Sequence, residues 1–186
     1  MTPLNLLKKV REYLARQRRK LEPIVNADGL GEFIDTRSSL VAQTSLYGYI
    51  KTRAGTRFPD LFENEEFLQS INIAKWQIWA ACVSDLAVFS GGLLYREMPD
   101  ADRIRQVLQQ AIDPLLARTA QPSEAGEDFS TALEKLKIRI AGAPFTDAAT
   151  SENAFTVSPD ALVYWAPIVD ELKSLDESIV RNSIRF

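Results

Sequence analysis

Residues 71–94 read INIAKWQIWAACVSDLAVFSGGLL, and this stretch decides the fold. It is the most apolar segment of the chain, and Lys75 and Asp85 are its only charges. A helix that is apolar nearly all round is either a membrane span or the buried helix of a bundle. The interruptions favour the bundle. Asn72, Lys75, Gln77, Ser84 and Asp85 break the run, and the uncharged segment between the two charges, Trp76 to Ser84, is nine residues long. A span needs about 20 predominantly apolar residues. The reading is a buried central helix over 65–90, with Asn64 as N-cap and Glu65 and Glu66 in its first turn. Gly91-Gly92 is expected to end or break it.

The flanking segments read as its cover. Pro3 to about Val25 has Leu7, Val10, Leu14, Gln17 and Leu21 at three- and four-residue steps, the period of an amphipathic helix. Its other face holds Lys8, Lys9, Arg11, Arg16, Arg18, Arg19 and Lys20. A second helix is expected from about Leu30 to Arg53, stopping at Gly55. Its inward stripe is read as Phe33, Arg37, Leu40, Val41, Thr44, Tyr47, Gly48 and Lys51. A glycine inside a helix costs about 1 kcal/mol against alanine, so Gly48 suggests close approach of a ring such as Trp76 or Trp79. Phe58 and Phe62 anchor the connector between this helix and the central one.

Downstream, Asp100 and Asp102 open a helix through Ile104, Leu108 and Ile112, with Pro114 kinking or restarting it. Phe129, Leu133, Leu136 and Ile140 give a short amphipathic helix. Residues Ala143 to Val157 read as the least structured stretch, a long connection. Ser158-Pro159-Asp160 is a helix start. The C-terminal segment beyond it is expected to bury Leu162, Val163, Trp165, Ile168, Val169, Leu172, Leu175, Ile179 and Val180, with Pro167 kinking it or beginning a second helix. No alternating run bounded by hairpin turns occurs anywhere. The fold class is therefore all-α: a single-domain bundle of about six helices around the central one, with the basic helix of residues 1–25 peripheral to it.

Composition removes most catalytic chemistries. There is no histidine and one cysteine, Cys82. Triads built on histidine, imidazole-ligated zinc, haem with a proximal histidine, and thiolate clusters are excluded, and no internal disulfide can form. No nucleophile elbow, phosphate loop or EF-hand loop is present. The acidic pairs Asp170-Glu171 and Asp176-Glu177 fall on a solvated face of the C-terminal helix, and di-metal carboxylate bundles need histidine; an all-carboxylate site or a carboxylate acid/base pair stays open. No catalytic residue, metal ligand or cofactor is assigned.

Two features point to binding. Residues 1–57 carry eleven Lys/Arg against five Asp/Glu, and residues 58–186 carry eleven against twenty. The basic N-terminal helix suits an acidic protein partner or an anionic membrane surface. Nucleic acid is disfavoured, because Tyr13 is the only stacking residue beside these cations. A homo-oligomer is compatible with the sequence. The expected location is cytoplasmic, peripheral to the inner membrane if the helix docks on lipid. The second feature is Lys75 and Asp85, about 15 Å apart along one helix. Each needs a partner or a route to water. The candidates are Arg37, Arg53 or Arg57 for Asp85, and Asp35 or an acidic residue of the C-terminal helix for Lys75. Arg37, Arg53, Lys75 and Asp85 together would line a pocket for an organic anion between the second and central helices.

Three strings, VAQTSLYGYIKTRAGTR (41–57), INIAKWQIW (71–79) and WAPIVDEL (165–172), resemble a small bacterial all-helical family, some of whose members carry the label esterase. The resemblance implies a cytoplasmic bacterial protein. The label implies ester hydrolysis, for which Lys75 with Ser70 or Ser84 would be the candidates in this chain. Three functions stand as expectations: a non-catalytic scaffold docking through the basic helix, an organic-anion-binding bundle with its pocket near Arg37 and Lys75, and a Ser/Lys hydrolase.

Overall fold

The computed structural model describes residues 23–119 and 122–184. The basic residues Lys8, Lys9, Arg11, Arg16, Arg18, Arg19 and Lys20 lie outside this part. Among the described residues the chain is all-helical. Its helices are α1 (Ala27–Ala54), α2 (Glu65–Glu97), α3 (Ala101–Thr119), α4 (Phe129–Gly142), a single turn α5 (Ser151–Ala154), α6 (Val157–Trp165) and α7 (Asp170–Ser183). Two short 3-10 turns, Gly55–Arg57 and Pro59–Glu63, join α1 to α2.

Local chemistry sets the helix starts. Asn26 caps α1 by accepting from the Gly29 N–H, and Asn64 caps α2 by accepting from the Phe67 N–H. Each satisfies a backbone donor that the first turn leaves without an intrahelical partner. Gly55 ends α1 at φ 57°, a backbone conformation that glycine adopts without a Cβ penalty.

α2 is the axis of the bundle. It packs against α1, α3, α4 and α6, and its residues from Gln77 to Val88 are buried without a break. By length and composition it could cross a membrane, yet 78% of its most apolar stretch is buried against the rest of the chain. Its lack of an amphipathic face is explained by helices on several sides. Ile78, Val83, Leu162, Phe129 and Phe155 are fully buried around it, each contributing about 1.5–3 kcal/mol by removal from water.

The structure corrects several expectations. The central helix does not stop at Gly91-Gly92 but continues to Glu97. A Cβ on Gly91 would meet the Phe145 ring at 2.4 Å, and one on Gly92 would meet the Ala149 nitrogen at 2.4 Å. The two glycines are therefore a seat for the segment 143–155, not a helix terminus. That segment is not a loose connection: Phe145, Ala148, Ala154 and Phe155 are buried in the core. In α3, Pro114 lies inside a helix that runs on to Thr119.

α1 turns inward a face that overlaps the expected one only in part: Phe33, Val41 and Tyr47 pack half-buried against the core. Leu30, Gly31, Ile34, Ser38, Ala42, Leu46, Tyr49 and Ile50 are buried, and Leu40 is exposed. Small residues decide this. Gly31 approaches the Ala111 carbonyl of α3 so closely that a Cβ would lie 2.4 Å from its oxygen. Gly48, by contrast, has nothing within 4 Å of where a Cβ would stand, so no ring approaches it. Gly48→Ala is expected to stabilise the protein by about 0.5–1 kcal/mol through helix propensity and lost unfolded-state freedom. A urea titration checks the sign, and a loss of stability would show that the glycine has a packing role after all. Of the C-terminal residues expected to be buried, Leu162 and Val180 are, and Val163, Trp165 and Ile168 pack half-buried against the core, but Val169, Leu172, Leu175 and Ile179 are exposed.

Candidate functional site

Asp85 organises the side of α2 that matters for function. Its carboxylate is fully buried and lies 2.5 Å from the Arg139 guanidinium of α4. It also accepts the backbone N–H groups of Val157 at 3.2 Å and Ser158 at 2.7 Å, the first residues of α6. One carboxylate thus neutralises a cation from one helix and caps the N-terminus of another, where the helix dipole favours negative charge. Arg139 spends its remaining donors on Ser84 Oγ, the Ala154 carbonyl and Thr156 Oγ1. The buried pair is well satisfied, which is the condition for tolerating two charges in a low-dielectric interior.

This junction fixes α4 and α6 on α2 as two walls. α4 runs alongside α2 in the same direction, since the Phe129 ring meets Trp76 and Trp79 at one end while Arg139 meets Ser84 and Asp85 at the other. α6 starts at Asp85 and runs back the opposite way. Between the walls lies an open groove of about 650 Å³. Gln77, Ala80, Ala81 and Ser84 of α2 form its floor. Thr131, Lys135 and Arg139 line the α4 side, and Val157, Ala161, Tyr164 and Trp165 the α6 side. Small side chains on the floor keep it from being filled.

Gln77 is the unusual residue here. Its side chain is 4% exposed, and its amide nitrogen has no hydrogen-bond partner. A buried polar group without a partner costs about 1–3 kcal/mol, and native structures satisfy the large majority of such groups. Gln77 interrupts the apolar stretch in the sequence, and that interruption is the one signal by which it could have been singled out.

The residues singled out in the sequence go elsewhere. Asp85 takes Arg139, a partner absent from the candidates Arg37, Arg53 and Arg57. Lys75 reaches Glu124 at 3.0 Å and Asn72 at 3.3 Å, not Asp35 or the C-terminal helix. Glu124 also accepts from the Trp76 indole at 3.0 Å. That hydrogen bond, followed by the Lys75 ammonium, holds the Glu124 carboxyl below its ordinary range. Asp35 instead receives the Trp79 indole N–H and the Arg118 guanidinium. Arg37 lies over the Phe33 ring. Arg53 pairs with Asp176 at 2.6 Å and donates to the Leu172 carbonyl. Tyr49 donates to the same Asp176, and burial, then the Asp176 charge, push its phenol above the usual range. Arg37, Arg53, Lys75 and Asp85 each satisfy a separate local contact and do not converge on one pocket.

The same contacts bear on hydrolysis. Ser84 Oγ accepts from Arg139, Ser70 Oγ donates to the Glu66 carbonyl, and Lys75 is held by Glu124. Among the described residues Lys75 bonds to Glu124 and Asn72 and to neither serine. Cys82 is fully buried, and burial, then the Asp85 charge, push its thiol far up, so it is held as an inert thiol. No cluster of three metal-ligating side chains occurs among the described residues.

No family model, curated protein or solved structure matches this chain. The groove's own chemistry is therefore the guide. It offers a floor of Ala80 and Ala81 between Gln77 and Ser84, an aromatic pair at the Gln77 end (Tyr164 and Trp165, ring centroids 5.0 Å apart), and two charges of opposite sign, Lys135 and Asp128.

Proposed function

We propose that this protein is a non-catalytic binding protein that holds a small amphipathic organic molecule in the groove between α4 and α6. The observation that carries this reading is the unpartnered amide nitrogen of Gln77, buried on the floor of a groove large enough for a drug-sized ligand. A ligand with a carboxylate or carbonyl oxygen supplies the acceptor that Gln77 lacks once its amide, closed off from solvent in this conformation, turns into the groove. Its apolar body covers Ala80, Ala81 and Trp165, and Lys135 favours an anionic head. Arg139 is already neutralised by Asp85 and Asp160 by Arg181, so neither makes the groove strongly charged. The organic-anion pocket expected near Arg37 and Lys75 is in this way moved to the other side of the central helix.

Thermal-shift titration with a panel of aryl and short-chain carboxylates and their carboxamides tests the reading. Members that raise the melting temperature of the parent protein are expected to bind Gln77→Leu about 5- to 100-fold more weakly, the equivalent of one hydrogen bond to a buried donor. Equal shifts in parent and variant would place the ligand elsewhere and sink the proposal.

A further inference from the structure

We propose that the apolar stripe of residues 7–21 docks along the exposed face of α7 of the same chain. α7 presents Leu172, Leu175 and Ile179 on one side, of which Leu175 is 75% and Ile179 71% exposed. Three large side chains in a row on an outward face call for a cover. In sequence they continue as Leu172, Leu175, Ile179, Asn182 and Phe186, spaced three, four, three and four residues apart. Leu7, Val10, Leu14, Gln17 and Leu21 repeat the same spacing in the same order. This is the a/d pattern of a two-helix seam. Each stripe carries a single amide, and both amides fall at the fourth position. A parallel alignment therefore sets apolar against apolar and Gln17 against Asn182, while a shift by one step sets an amide against a leucine.

Topology and charge favour the same alignment. α7 runs antiparallel to α6, since Arg181 pairs with Asp160 in the first turn of α6, which itself starts at Asp85. The C-terminal end of α7 thus points toward the C-terminal end of α2. The described chain begins at that end too, where Ile24 and Val25 share an apolar groove with Leu93 and Leu94. Leu21 is then set near the end of α7 and Leu7 near its start; α7 is helical to Ser183, and Leu172 to Ser183 spans about 17 Å. Residues 1–22 carry seven Lys/Arg against two Asp/Glu, and the rest of the chain fifteen against twenty-three. The alignment brings Arg11 beside Glu171, a flanking pair of the kind that fixes register in such seams. Lys8, Lys9, Arg16 and Arg19 then fall away from the seam, while Arg18 and Lys20 flank it.

Disulfide trapping in the full chain tests this. Cys82 stays in place because it is buried and inert. Val10→Cys with Leu175→Cys, and separately Leu14→Cys with Ile179→Cys, are expected to oxidise to an intramolecular crosslink seen as a faster-migrating monomer on a non-reducing gel. Both should form at least tenfold faster than Arg16→Cys with Leu175→Cys, which places one thiol on the opposite face of the segment. Crosslinking no faster than that control overturns the proposal. A covalent dimer in place of the compact monomer also overturns it, and assigns the α7 face to a second copy of the chain.

Discussion

Asp85→Ala is expected to destabilise the protein by about 3–5 kcal/mol, because it leaves the Arg139 guanidinium uncompensated and two α6 N–H groups without an acceptor. Against a typical net stability of about 5–15 kcal/mol that is roughly a fifth of the total or more. Arg139→Met should cost a similar amount, now by stranding the buried carboxylate. The double variant Asp85→Leu with Arg139→Met is the informative one. Replacing both partners of a buried pair by apolar groups is often close to neutral, so it should be more stable than either single variant. Urea denaturation of the three proteins gives the coupling. A loss below about 1 kcal/mol for Asp85→Ala, or strictly additive losses, would contradict the junction as described.

Gly92→Ala should destabilise by about 1–3 kcal/mol, the range for overpacking a well-filled site. Its Cβ would lie 2.4 Å from the Ala149 nitrogen and 2.5 Å from the Ala148 carbonyl carbon, and backbone atoms cannot step aside as a side-chain tip can. The propensity gain of alanine in a helix, about 1 kcal/mol, offsets only part of this. The displaced segment 143–155 also supplies the Ala154 carbonyl to Arg139, so the strain reaches the α4 wall of the groove. A melting curve for Gly92→Ala set beside Gly48→Ala separates the two roles of glycine. A Gly92→Ala protein as stable as the parent would show that the segment does not bear on α2 there.

The fold class was legible because the apolar stretch at 71–94 has only one soluble solution, a helix wrapped by others. Its end was misread because Gly-Gly is a stop signal in isolation, and only the Phe145 ring and the Ala148–Ala149 backbone lying against it make glycine necessary inside the helix. The inward face of α1 was misread for a related reason. A large residue such as Leu40 outweighs Ser38 and Ala42 in a periodicity count, whereas close helix packing selects the small ones. Asp85 was rightly singled out as a charge in need of a partner. Arg139 was not, because it sits on a short helix whose period reads as an ordinary amphipathic one, and only tertiary structure turns it toward Asp85. Gln77 was visible as a break in the apolar run, but a sequence cannot say that its amide ends without a partner. The exposed stripe of α7 was expected to be buried, since hydrophobic period alone does not say what covers a face.

The most direct test of the groove as a binding site is the side-chain amide of Gln77 observed by nitrogen-15 NMR during titration with a carboxylate that raises the melting temperature. Its two N–H resonances are expected to move among the most strongly in the spectrum, with the indole N–H of Trp165 beside them. Unmoved Gln77 resonances, with the perturbations gathered instead around Ile24, Leu93 and Leu94, would contradict binding in the groove.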